Sequence, residues 1–187
     1  MTEDAVAPDA EADSDADATD EAERDADARA LASALRLRIL RLCLDEAWTN
    51  REIAERLGRN PATVLHHVRT LVDRGFLEAG PVRRGARGSR EVPYRATGKS
   101  WRAPDFPGKW QIMASTFLEE LHEADPDTVR MTRLGVRLSP QEHEELLGRV
   151  EAFFEELATR RPSPEGRRPY SLLFALHEDA ARIRPGT

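Results

Sequence analysis

The stretch TNREIAERLGRNPATVLHHVRTLVDRGFLEAG, residues 49–80, constrains the fold more than any other part of the chain. Thr49 precedes a short apolar-periodic run and Glu52 stands three residues later, the reciprocal pattern of a capping box. Ile53, Ala54 and Leu57 form the buried stripe of that helix, and Gly58 ends it. Asn60 then offers a side-chain oxygen to free amides, while Pro61 occupies the first helical position, where no amide hydrogen is needed. Two short helices joined by a tight, glycine-containing turn make a helix-turn-helix.

The second helix carries adjacent histidines, His66 and His67. Neighbouring helical residues project about 100° apart, whereas chelating pairs stand at i and i+4, so the two do not grip one metal ion. Val64, Val68 and Leu71 recur at i, i+4 and i+7 and define the face toward the core. Ala62, His66, Arg69 and Asp73 then point away from it, with Leu65 on one flank and His67 on the other. His67 at the core edge suits packing or a phosphate contact; His66 suits a base edge.

Upstream, ALASALRLRILRLCLDEA places Leu35, Leu37, Ile39, Leu40 and Cys43 with helical spacing, leaving Arg36, Arg38 and Arg41 mostly outward. Cys43 reads as a small core residue, with a reactive thiol or a metal ligand as the alternatives. Downstream, Phe76–Ala79 and Glu91–Arg95 read as strands, Pro93 restricting the second to an edge or an irregular stretch. The loop between them holds Arg83, Arg84, Arg87 and Arg90 among glycines. A cationic hairpin directly after a helix-turn-helix is a wing, its guanidinium groups suited to phosphate or the minor groove.

The net charge of −6 conceals an asymmetry. Residues 1–27 hold 12 carboxylates against Arg24; residues 28–110 hold 17 Lys/Arg against 8 Asp/Glu; residues 111–187 hold 10 against 14. A basic segment inside an acidic chain points to a polyanion, most commonly nucleic acid. Its place on the second helix and wing argues against the competing reading, a winged-helix adaptor for other proteins.

The segment ALRLRILRLCLDEAWTNREIAERLGRNPATVLHHVRTLVDRGFLEAG, followed by the arginine-rich hairpin ending in VPYRAT, resembles the winged helix-turn-helix of the ArsR-like bacterial transcriptional regulators over about residues 30–97. The resemblance implies a double-stranded DNA partner, a homodimer and an operator that is an inverted repeat. The residues it marks for DNA are Asn60, Ala62, Thr63, Leu65, His66, His67 and Arg69 on the recognition helix, 60–74, and Arg83, Arg84, Arg87 and Arg90 on the wing, 81–90. Leu65 stands where family members often carry serine, which favours apolar contact with a thymine methyl. The metal-sensing branch has a cysteine pair in or near the helix that here reads NREIAERL, without cysteine. The expectation is a regulator with no metal and no cofactor.

Residues 1–26 are expected to be a disordered acidic tail, since they lack the apolar side chains needed to offset chain entropy. The winged helix-turn-helix domain is assigned to 27–100, and residues 101–187 to a dimerisation or effector region. There Trp110, Met113, Phe117 and Leu121 form an apolar stripe that suits pairing with a second subunit. TVRMTRLGVRLS, a helix capped by Ser139, Pro140 and Glu142, and YSLLFALHE suggest a small β-α-β unit over 128–178, able to complete a dimer or receive an unidentified small-molecule effector. The expected fold class is α+β, mainly helical. His122, His143 and His177 are scattered among carboxylates, and no nucleophile elbow, phosphate loop, dinucleotide fingerprint or HExxH spacing occurs, so no catalytic residue is assigned. With no apolar run long enough to span a bilayer and no secretory leader, a cytoplasmic protein is expected.

Overall fold

The computed structural model describes residues 9–85, 88–103, 105–160 and 168–183, with the side chains of the first helix from Thr19 onward. The chain divides into two compact units, Met1–Ala124 and Asp125–Thr187. The division falls later than the boundary at 100/101 read from the sequence.

In the first unit, α1 runs from Asp9 to Leu31, α2 from Ala34 to Leu42, α3 from Asn50 to Arg56, α4 from Pro61 to Asp73 and α5 from Lys109 to Glu123. The strands are β1, Trp48–Thr49; β2, Leu77–Ala79; β3, Arg83–Arg84; β4, Arg90–Glu91; and β5, Pro93–Ala96. The core gathers Ile39, Leu40 and Cys43 from α2, Ile53 and Ala54 from α3, and Val64, Val68 and Leu71 from α4, closed by Phe76 and Leu77. Of the positions marked by helical periodicity, Leu35, Leu37 and Leu57 are half-buried and pack against this core. Burial pushes the Cys43 thiol up to about 12, so it is a core residue with little thiolate character.

Local signals explain the helix ends. The Thr49 side chain accepts from the Glu52 amide, and Glu52 answers to the Thr49 amide at 2.8 Å. Asn60 Oδ1 accepts from the Ala62 amide at 2.8 Å, with Pro61 opening α4. Gly58 turns the chain between α3 and α4 at φ 58°, a left-handed value that costs a side-chain-bearing residue about 1 kcal/mol or more.

Three expectations need correction. The acidic tail is helical from Asp9. Alanine at eight of its 23 positions favours the helix, and the seven aspartates oppose it. Arg24 and Arg29 relieve its repulsion by pairing with Asp20 and Asp25 one turn back. Its last turns are anchored: Ala30 and Leu31 enter the core, and Asp27 meets Arg74 at 2.7 Å and Lys99 at 2.5 Å. The α2 arginines are not mostly outward. Arg38 pairs with Glu119 and Glu123 of α5, its side chain only 10% exposed, and Arg36 is half-buried; Arg41 reaches Glu120 at 2.9 Å. Pro93 lies on the central strand, since the sheet order is β1-β5-β2. It is tolerated as the first residue of β5, where its carbonyl accepts from the Gly80 amide at 2.8 Å and a missing donor costs little.

The second unit contains α6, Pro140–Thr159, opened by a capping box between Ser139 and Glu142. The expected β-α-β arrangement is not formed in full. The segments on either side of this helix carry no strand, and no ladder joins them among the described residues. Strand propensity becomes a strand only when the backbone finds a ladder partner, and among the described residues no ladder joins these segments.

Candidate nucleic-acid interface

α3 and α4 pack against each other and expose one face of α4. Ala62, Thr63, His66 and Arg69 are exposed, Leu65 and His67 half-buried, and Val64, Val68 and Leu71 buried. The 3.6-residue period dictates this division once the three apolar positions are buried. Asn60 is exposed, but its side-chain oxygen serves as the helix cap, so its part in α4 is to orient the first turn. Asn50 assists by donating from Nδ2 to the Pro61 carbonyl at 2.9 Å.

The two histidines diverge. Their rings make an edge-to-face contact with centroids 5.6 Å apart. His67 turns back, its Nδ1 3.3 Å from Nη1 of Arg36. Burial, then the Arg36 charge and His66, hold the His67 imidazole below its ordinary pKa. A neutral ring with Nδ1 as acceptor is the form that fits against a guanidinium. Arg36 also donates from Nη2 to the Arg29 carbonyl at 2.7 Å and from Nε to the Ala30 carbonyl. It therefore joins the end of α1 to the flank of α4. His66 remains the outward member of the pair.

The wing is a second sheet, β3 paired antiparallel with β4. Its base is tethered to α3: Arg83 meets Glu52 at 2.6 Å and Arg51 meets Glu91 at 3.1 Å. Burial pushes the Glu52 carboxyl up, but hydrogen bonds from Thr49 and the Arg83 charge outweigh it and hold it below the usual range. The cap of α3 and the root of the wing thus share one carboxylate. Arg83 is engaged there, whereas Arg84 and Arg90 are exposed and stand directly opposite each other in the register. Arg87 lies outside the described residues.

Like charges directly opposed across a ladder are destabilising, and the neighbouring pairs Glu78↔Arg95 and Arg83↔Glu91 oppose unlike charges. The Arg84 and Arg90 pair is the exception, a place where an added anion would relieve strain in the charge pattern.

The stripe of α5 is only partly free. Trp110 is 71% exposed and Met113 42%, while Phe117 and Leu121 are half-buried. α5 buries Thr116 and is held to α2 by the carboxylates that receive Arg38 and Arg41.

Sequence reasoning missed the support around these side chains: Arg36 behind His67, Arg51 and Glu52 at the root of the wing, and the Asp27, Arg74 and Lys99 cluster. Only Glu52 carried a local signal, as a cap, and its pairing with Arg83 spans 31 positions. Among the described residues no group of three or more His, Cys, Asp or Glu could hold a metal ion, and no helix is long and apolar enough to cross a membrane.

Residues 31–79 match the helix-turn-helix domain family. No curated protein matches the chain. Among solved structures, reduced HlyU from Vibrio cholerae is 22% identical, covering 54% of this chain and 92% of its own, with a TM-score of 0.35. An ArsR-like transcriptional regulator from Rhodococcus is 18% identical, covering 74% and 96%, with a TM-score of 0.39. The homodimeric winged helix-turn-helix domain of Mb0332 from Mycobacterium bovis is 20% identical, covering 63% and 94%, with a TM-score of 0.38. Residues 31–79 are thus a helix-turn-helix domain.

Proposed function

We propose that the protein is a sequence-specific double-stranded DNA-binding transcriptional regulator that acts as a homodimer. The recognition helix α4 enters the major groove with Ala62, Thr63, Leu65, His66 and Arg69, and the wing meets the backbone or minor groove through Arg84, Arg87 and Arg90. The observation that carries this reading is the opposed, exposed pair Arg84 and Arg90 on a hairpin tethered to α3, together with the exposed face of α4. Two uncompensated cations at the tip of a tethered hairpin are unfavourable alone and favourable on a phosphate chain. An adaptor surface for another protein has no such need. The operator is an inverted repeat, matching the two-fold symmetry of the dimer. The working place of such a protein is the cytoplasm, and residues 101–187 provide dimer contacts or receive a small-molecule effector.

The test is a fluorescence anisotropy titration against the DNA upstream of the protein's own gene and against random duplex of equal length, at two salt concentrations. Specific binding at least 1000-fold tighter than random is the expected result. His66→Ala then weakens the specific complex by about 1 to 3 kcal/mol and leaves the random one unchanged. No binding to either DNA would refute the reading.

A further inference from the structure

The unit Asp125–Thr187 has a long helix and no interior. None of its described residues is buried. Met131 and Leu134 are each 79% exposed, and Tyr170 is 74% exposed. On α6, Phe153 is half exposed and Leu146, Leu147, Val150, Phe154 and Leu157 are only partly covered. Scattered apolar residues on a surface need no explanation, but a contiguous patch of this kind does.

Two further features indicate what covers it. The segments 130–138 and 172–177 are rich in Val, Leu and Phe, yet no backbone hydrogen bond joins them to each other or to any described residue. Among the described residues, the backbone of these segments is therefore not committed to a ladder. The charges are also divided. Arg130, Arg133 and Arg137 lie on the first segment, while α6 carries Glu142, Glu144, Glu145, Glu151, Glu155 and Glu156 against Arg149. Among the described residues Arg133 and Arg137 make no ion pair, and Arg130 bonds only backbone carbonyls. One unit therefore carries both halves of a complementary surface, a basic apolar segment and an acidic apolar helix. A copy of the same unit, turned by a two-fold axis, matches each half with the other.

We infer that residues 125–187 are a self-pairing module, in which segment 130–138 of one chain lies along α6 of a second copy and the reciprocal contact forms at the same time. Leu134, Val136, Leu138, Leu146, Leu173 and Phe174 line a cleft of about 570 Å³ in this unit, which the second copy closes. This surface is separate from the α5 stripe, and it rests on the homodimer reading only in sharing its stoichiometry.

The experiment is sedimentation equilibrium of the full chain at micromolar concentration, with helical content checked by circular dichroism. Wild type is expected to be a dimer. Leu134→Glu raises the dimer dissociation constant at least tenfold and leaves helical content unchanged, because Leu134 has little packing to lose within its own chain. A chain with Arg133→Glu and Arg137→Glu and a chain with Glu144→Arg and Glu151→Arg each dimerise at least tenfold more weakly than wild type, and an equimolar mixture restores the wild-type dissociation constant. That rescue separates contact between copies from contact within one chain. Wild-type sedimentation by Leu134→Glu, or a mixture no tighter than its components, overturns the inference while leaving α5 pairing intact. A monomeric wild type that takes up an apolar dye, 1-anilinonaphthalene-8-sulfonate, stoichiometrically in the cleft also overturns it, in favour of a ligand site.

Discussion

Nδ1 of His67 lies 3.3 Å from Nη1 of Arg36, so one of the two adjacent histidines of α4 is committed to its own domain. Arg36 holds the carbonyls at the end of α1 with its remaining nitrogens. The contact separates two side chains that the sequence presents as equivalent. Burial, with the Arg36 charge beside it, holds the His67 imidazole below its ordinary pKa.

Because His67 is held below its ordinary pKa, folding opposes its protonation. The unfolded chain binds more protons than the folded one below about pH 6.5, so stability is highest above that value and declines as pH falls toward the folded pKa. Thermal denaturation from pH 7.5 to 5 is expected to show this decline, and His67→Gln to flatten it. An equally steep decline in the variant would remove His67 from the balance. His67→Ala lowers stability, and any loss of DNA affinity is uniform over sequences.

On the proposed reading, Arg84 and Arg90 contribute to the salt-dependent part of DNA binding. Replacing either with alanine is expected to weaken operator and random DNA alike and to reduce the slope of log K against log salt by about one unit. The same change relieves the like-charge opposition in the free protein, so unliganded stability stays the same or rises slightly. Base-specific loss would instead point to minor-groove readout by that side chain.

Both caps, the buried stripes of α3 and α4, and the outward position of His66 were legible because each depends on residues within about two helical turns. What escaped depends on distant partners. Arg38 looks outward on α2 until the carboxylates of α5, 81 and 85 positions away, cover it. Pro93 looks like an edge residue until β1, too short to announce itself, pairs on the far side of β5. A shortage of apolar side chains predicts disorder in the acidic tail, an argument blind to the distant partners that anchor Asp27. The segments beside α6 do have strand composition, but composition does not supply the partner that makes a strand.

Asp27 anchors α1 by meeting Arg74 and Lys99 together. Burial raises its carboxyl pKa, but hydrogen bonds from Lys99 and Arg74 and their charges prevail and hold it below the ordinary value. Its contribution is therefore full above the unfolded pKa of about 4 and lost as pH falls through the lower folded value. Asp27→Asn is expected to cost about 1.5 to 3 kcal/mol at pH 7 in urea denaturation, toward the lower end because Lys99 is 43% exposed and screened. A change below 0.5 kcal/mol would mean that α1 is held by Ala30 and Leu31 alone.

The stripe on α5 tests how the two reading heads are spaced. Trp110 and Met113 stand open while Phe117 and Leu121 are half covered, so pairing through this helix uses its amino-terminal end more than its carboxy-terminal one. The salt bridges from Arg38 and Arg41 fix α5 on α2, and α2 packs on α4 within the same core. In the proposed homodimer, a contact made by Trp110 would therefore fix the orientation of α4 relative to its symmetry mate. Two such helices can reach successive major grooves only at a separation of about 34 Å, one turn of the duplex. Trp110→Glu is expected to preserve helical content, because little of Trp110 is packed within its own chain. It is also expected to reduce affinity for the full inverted repeat by at least 100-fold while leaving half-site affinity unchanged. Anisotropy titrations on both DNA lengths measure this directly. Equal binding of wild type and variant to the full repeat would assign the dimer geometry to another surface.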